Sequence, residues 1–146
     1  MFSSIVGYYV KHEIKRYSAL SQCDFDIYNI KLVKPFENDE KLVFTFVVVN
    51  PSEKNVTFDS FYMSVFVNGI FFQRYTYYNR TVIPSNSRVE IPIELYLRNS
   101  SSEVAANTLR YGSADISISG VINVKTIFGL FSKDFSVTTS MKKRRR

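Results

Sequence analysis

Asn68-Gly69 constrains this chain more than any other pair of residues. It lies between two stretches rich in β-branched and aromatic residues, 60–67 and 70–78. A two-residue hairpin of type I′ needs a positive φ at both turn positions, and Asn-Gly meets that need at least cost. An antiparallel hairpin is therefore expected here, which commits the neighbouring chain to sheet. The run at 41–50, Leu42-Val43-Phe44-Thr45-Phe46-Val47-Val48-Val49, is apolar on both faces and reads as a central, buried strand. Asn50-Pro51 stops it. Residues 88–97 alternate cleanly, with Val89, Ile91, Ile93, Leu95 and Leu97 on one side. Pro92 in that run cannot donate to a ladder, so an edge strand or a bulge is expected there.

The remaining segments extend the same pattern. Strands are expected over 26–34, 114–124 and 131–139, the last two separated by a turn near Phe128-Gly129. Ser100-x-x-Glu103 matches a capping box and predicts one short helix over 100–109. The sum is an all-β, immunoglobulin- or fibronectin-III-like sandwich of about seven strands with a short helix. Residues 1–24 differ: Ile5, Val6, Tyr9, Val10, Ile14, Tyr17 and Leu20 recur at helical spacing and predict an amphipathic helix. The expected organisation is thus an N-terminal helix at 1–24, a sandwich domain at 25–140 and a basic tail at 141–146.

Charge is unevenly placed. The 146 residues carry a formal net charge of +6. Five of the 19 Lys and Arg are Lys142, Lys143, Arg144, Arg145 and Arg146, which leaves 14 against 13 Asp and Glu, a net of +1 for the rest. A basic tail on a nearly neutral body argues against a nucleic-acid-binding face on the fold itself. The tail is the place where a polyanion, nucleic acid or anionic lipid, would bind.

Chemistry-bearing residues are sparse. The chain has one cysteine, Cys23, and one histidine, His12. That excludes an intramolecular disulfide and a multi-cysteine metal centre. There is no Gly-x-Ser-x-Gly elbow and no Gly-rich phosphate loop. No catalytic residue, metal ligand, cofactor or small-molecule substrate is therefore read from the chain, and it is not expected to be an enzyme. The acidic group Glu37, Asp39 and Glu40 is read as a solvated turn. The cluster Arg74, Tyr75, Tyr77, Tyr78 and Arg80 is the candidate partner surface. With no signal sequence and no 18-residue apolar span, the expected compartment is the cytoplasm, with membrane-peripheral or particle association as alternatives.

The order of several elements resembles the WHy (water stress and hypersensitive response) domain of the group-two late embryogenesis abundant (LEA) proteins. A hydrophobic strand ends in Asn50-Pro51, and a second leads into Val65-Phe66-Val67-Asn68-Gly69. A turn follows at Ile83-Pro84-Ser85-Asn86, then an alternating strand. A short helical segment precedes Ile116-Ser117-Ile118-Ser119-Gly120, and the chain closes through Phe128-Gly129, Phe131 and Phe135. The resemblance spans about residues 26–140. It implies a sandwich with a non-enzymatic role in stress, desiccation or defence, and it carries no catalytic residues. Asn50, Pro51, Asn68, Gly69, Pro84 and Gly120 are then structural turns and contacts.

The function expected is a non-catalytic, LEA-like protective or interaction module acting through its sandwich surface on a protein partner or a membrane. One alternative is a structural component of a nucleoprotein particle, such as a ribosome or virion, tethered by the tail. The other is a peripheral membrane protein held by the N-terminal helix and the tail together.

Overall fold

The computed structural model describes residues 20–34 and 39–141. Nine strands and one α-helix follow in chain order among them. The strands are β1 (Asp24–Val33), β2 (Lys41–Asn50), β3 (Val56–Phe58), β4 (Ser60–Val67), β5 (Ile70–Tyr77), β6 (Thr81–Ile83), β7 (Ser87–Tyr96), β8 (Ala114–Thr126) and β9 (Gly129–Met141). The helix α1 (Glu103–Tyr111) lies between β7 and β8. Seven strands are long, as the alternation predicts. β3 and β6 are three-residue additions too short to show a period.

One sheet has the order β1-β2-β7 and the other β5-β4-β8-β9, with β3 and β6 paired beside them. The pairings within the two main sheets are antiparallel. β2 is central, as its two-sided apolar run demands, and β7, with Pro92, is an edge. The strands turn most of their apolar residues inward. Phe46, Phe61 and Phe135 meet between the sheets at centroid separations of 5.0 and 5.1 Å. Leu20 and Cys23 are buried in the same core, ahead of β1.

Both open sides of the sandwich are stitched. On one, Phe25 of β1 stacks on Phe135 of β9 at 5.1 Å, and the Lys133 ammonium donates to the carbonyls of Cys23, at 2.8 Å, and Ser21. On the other, Gln73 Nε2 of β5 donates to the Tyr96 carbonyl of β7 at 2.9 Å. Ser101 N–H donates to the Phe72 carbonyl at 2.8 Å. These contacts cover edges that would otherwise offer unpaired backbone groups.

The turn at Asn68-Gly69 has φ of 49° and 81°, the type I′ signature. Gly120 faces Met63 across the ladder without a bulge. A Cβ there would lie 1.9 Å from the Tyr62 carbonyl oxygen, so glycine is required by close approach. The bulges lie elsewhere, at Asn29–Ile30 in β1 and beside Val65–Phe66 in the β4–β5 pair.

The helix cap differs from expectation. Ser102, not Ser100, is the N-cap, accepting from Ala105 N–H. The Ser100 hydroxyl is taken by the preceding turn, where it accepts from Ser102 N–H and donates to the Ser102 carbonyl. Glu103 is therefore the first helical residue rather than the capping-box partner. Two residues of the acidic group do structural work. Asp39 pairs with Arg98 at 3.1 Å and Glu40 with Arg110 at 2.8 Å, tying the β1–β2 connection to the turn after β7 and to α1. The expected N-terminal helix falls on residues 1–19, apart from its end, and the basic tail on 142–146. Both lie outside the described residues.

Candidate interaction surfaces

The register of the four-stranded sheet sets out its outer face row by row. Arg74, Ser64, Ser119 and Ser136 form one row, and Thr76, Tyr62, Val121 and Asp134 the next. Ser60, Asn123 and Ser132 form a third. It is linked by hydrogen bonds from Asn123 Nδ2 to Ser60 Oγ at 3.2 Å and from Ser132 Oγ to Asn123 Oδ1 at 2.6 Å. Further out, the Ser117 and Thr138 hydroxyls lie 3.1 Å apart, and Ser140 donates to Asp115 at 2.8 Å. Alternation turns Ile116, Ile118 and Ile122 inward and leaves these hydroxyls outside. The face carries Arg74 against Asp134 and Asp115, and is otherwise neutral and able to donate and accept at most of its positions. A shallow hollow of about 540 Å³ lies on it around Tyr62, Ser119, Val121 and Asp134.

The predicted partner cluster on β5 divides between two faces. Arg74 and Tyr78 are exposed on the outer side. Tyr75 and Tyr77 turn inward, where Tyr77 stacks on Phe61 at 4.9 Å and Tyr75 lies 6.1 Å from the same ring. Burial pushes the Tyr75 hydroxyl above its ordinary pKa. Arg80 lies past the strand end, 3.9 Å from Asp59. The five residues therefore form no single surface.

Of the predicted turn residues, Asn50, Pro51 and Pro84 meet at one end of the sandwich, Asn68-Gly69 lies at the opposite end of the four-stranded sheet, and Gly120 sits within β8. Asn50 is fully buried, and its Nδ2 reaches the carbonyls of Lys54 at 2.7 Å and of Ile83 and Pro84 at 3.1 Å each. Its Oδ1 accepts from Ser52 N–H at 3.0 Å and Ser52 Oγ at 2.7 Å. One side chain thus clamps the end of β2 to the β6–β7 turn, and Pro51 leads the chain away.

A larger groove of about 920 Å³ opens where β1 bulges at Asn29. It is walled by Phe44, Ile93, Leu109 and Met141 with Lys31 and Glu94 among its lining. Glu94 is already paired with Lys41 at 3.1 Å. Among the described residues, no group of three His, Cys, Asp or Glu is placed to hold a metal. Also among the described residues, no helix is long and apolar enough to cross a membrane. Cys23 is buried, and burial pushes its thiol up to about 11; Lys133 opposes the shift and Asp24 adds to it. A protonated, buried thiol is a poor nucleophile. His12 lies outside the described residues.

The fold defines the chain as an all-β sandwich with a helix between its seventh and eighth strands. No protein-family model matches the chain, and no curated protein matches it in sequence. Solved structures do match. The solution structure of a "putative late embryogenesis abundant (LEA) protein" superposes with a TM-score of 0.59 at 9% identity, over 97% of this chain and 83% of that one. The solution structure of a protein from Arabidopsis thaliana gives a TM-score of 0.55 at 11% identity, over 80% and 78% of the two chains. At these identities the likeness is one of fold.

Proposed function

We propose that this chain is a non-catalytic, WHy-like module of the LEA kind, protecting or binding other macromolecules through the hydroxyl-bearing face of its four-stranded sheet. The observation that carries this reading is the face itself: rows of Ser and Thr around Tyr62, on a sandwich whose fold a protein named as LEA shares. Hydroxyls donate and accept at once, so such a face can take the place of hydration water on a drying surface without adding charge. The test is to dry a labile dehydrogenase with this protein, or with an equal mass of an inert globular protein, and assay what activity returns. Several-fold better recovery is expected. It should fall toward the control when Ser64, Ser119 and Ser136 are replaced by Ala. Recovery no better than the inert protein gives would end this reading.

A second reading rests on the sequence of the tail. The concentration of charge in Lys142–Arg146 supports salt-sensitive tethering to a polyanion, as in a nucleoprotein particle. RNA titrations across a salt series, with and without those five residues, separate it from the first. If removing them leaves binding unchanged, tethering by the tail is excluded.

A further inference from the structure

The hairpin between β8 and β9 ends in a turn of unusual composition. Two-residue turns normally hold Asn, Asp or Gly, as Asn68-Gly69 does at the other end of the same sheet. Here the turn residues are Ile127 and Phe128, with Gly129 and Leu130 following. Ile127 is 71% exposed, Phe128 53% and Leu130 63%. Strand length puts them there. The β4–β8 ladder stops at Ser60–Asn123, whereas β8 and β9 stay paired to Thr126–Gly129. Three further residues carry the turn about 10 Å past the last β4 pair.

The tip is also closed within itself. Phe128 N–H donates to Thr126 Oγ1 at 3.1 Å, and that hydroxyl donates to the Gly129 carbonyl at 2.9 Å. Gly129 has a φ of 127°, a conformation that favours glycine. At the base, Lys125 N–H donates to Asp59 Oδ2 at 2.6 Å. Two backbone groups of the turn are thus satisfied within it, which lowers the cost of leaving water.

Polar and cationic side chains stand behind the tip. The same Asp59 lies 3.9 Å from Arg80, whose side chain is 69% exposed. Lys125 is exposed, and Tyr78, which leads into Arg80, is 81% exposed. An apolar apex backed by tyrosine and cations matches the layers of an anionic bilayer: acyl chain, headgroup level, phosphate. A projecting tip also suits a soft medium that closes around it.

We propose that the β8–β9 tip is a membrane-insertion device, which docks this end of the sandwich on anionic lipid with Arg80 and Lys125 facing the headgroups. This site is separate from the hydroxyl face and does not depend on it. It also differs from the basic tail, which follows Met141 in sequence at the end of β9 away from the tip.

The test uses the full chain with vesicles of phosphatidylcholine alone and mixed with phosphatidylserine. The chain has no tryptophan, so Phe128→Trp is a clean reporter. Cosedimentation with the mixed vesicles is expected, together with a blue shift of the reporter and quenching by brominated acyl chains. Partition should fall about tenfold or more in Ile127→Ser/Phe128→Ser/Leu130→Ser, and several-fold in Arg80→Gln/Lys125→Gln. Three results overturn the proposal: no vesicle binding by the unaltered chain, undiminished binding by the tip variant, or a reporter that stays in water while the protein is bound. A tip variant that loses self-association or binding to a protein, but no lipid binding, assigns the tip to that partner and overturns it equally.

Discussion

Two departures from the rule of apolar inside and polar outside sit at the same end of this molecule. Asn50 is a polar side chain with no exposure, and Ile127, Phe128 and Leu130 are apolar side chains mostly in water. The buried amide is accounted for from within, because every polar atom of its side chain has a partner in the turns it joins. The exposed tip has internal bonds for its backbone but none of its own core against its side chains. An anomaly that the fold explains belongs to architecture. One that the fold leaves unexplained points outward, to something the molecule meets.

The comparison breaks first at Asn50 if it breaks at all. Asn50→Ala removes the side-chain partner of the Ile83 and Pro84 carbonyls and of Ser52 N–H, and leaves a hole where a fully buried side chain stood. A loss of about 3 kcal/mol is expected in urea or thermal unfolding. Asn50→Asp should cost more, since a carboxylate would face the carbonyl oxygens of Ile83 and Pro84. A loss under about 1 kcal/mol for either variant would mean that the clamp is dispensable and that the buried amide needs another explanation.

A second interior group sharpens the contrast through reactivity. The Cys23 thiol is held near 11 by burial, against about 8.5 in an unfolded chain. Native protein at pH 8 should therefore alkylate at least about a hundredfold more slowly than the same thiol in urea. The sign of the linkage follows. The folded state holds this proton more tightly, so the contribution is complete below the unfolded value and is lost as pH rises from about 9 to 11. Equal alkylation rates in native and unfolded protein would show that residues 20–23 open freely, and that this edge of the core is not closed.

What the sequence made legible follows the same division. The Asn68-Gly69 hairpin, the buried β2 run and the edge position of Pro92 were readable because each rests on local chemistry. The cap at Ser102 was not, since two serines compete at that turn and only the hydrogen bonds decide between them. Alternation alone divides Arg74 and Tyr78 from Tyr75 and Tyr77, but which pair faces the core is set by the bulge beside Val65–Phe66, which places Phe72 inside and then shifts the phase of the strand. The hydroxyl rows were present in the alternation of β8 but needed the register with β4 and β9 to become a surface. The turn near Phe128-Gly129 was legible, but its projection as an apolar tip was not, because that depends on where β4 ends.

The smallest expected effect is the one that most sharpens the comparison. Replacing Ile127, Phe128 and Leu130 by Ser removes three large apolar side chains, which from a core would cost several kcal/mol. Here each residue is already more than half exposed, and the turn bonds made by Thr126 and Gly129 remain. Unfolding free energy should change by no more than about 0.5 kcal/mol. A larger loss would mean that the tip folds back on the sandwich in solution and belongs with Asn50 as architecture. A stability left unchanged, beside an altered affinity for lipid, would separate the two ends of the comparison: Asn50 holds this end of the sandwich together, and the tip serves what the sandwich binds.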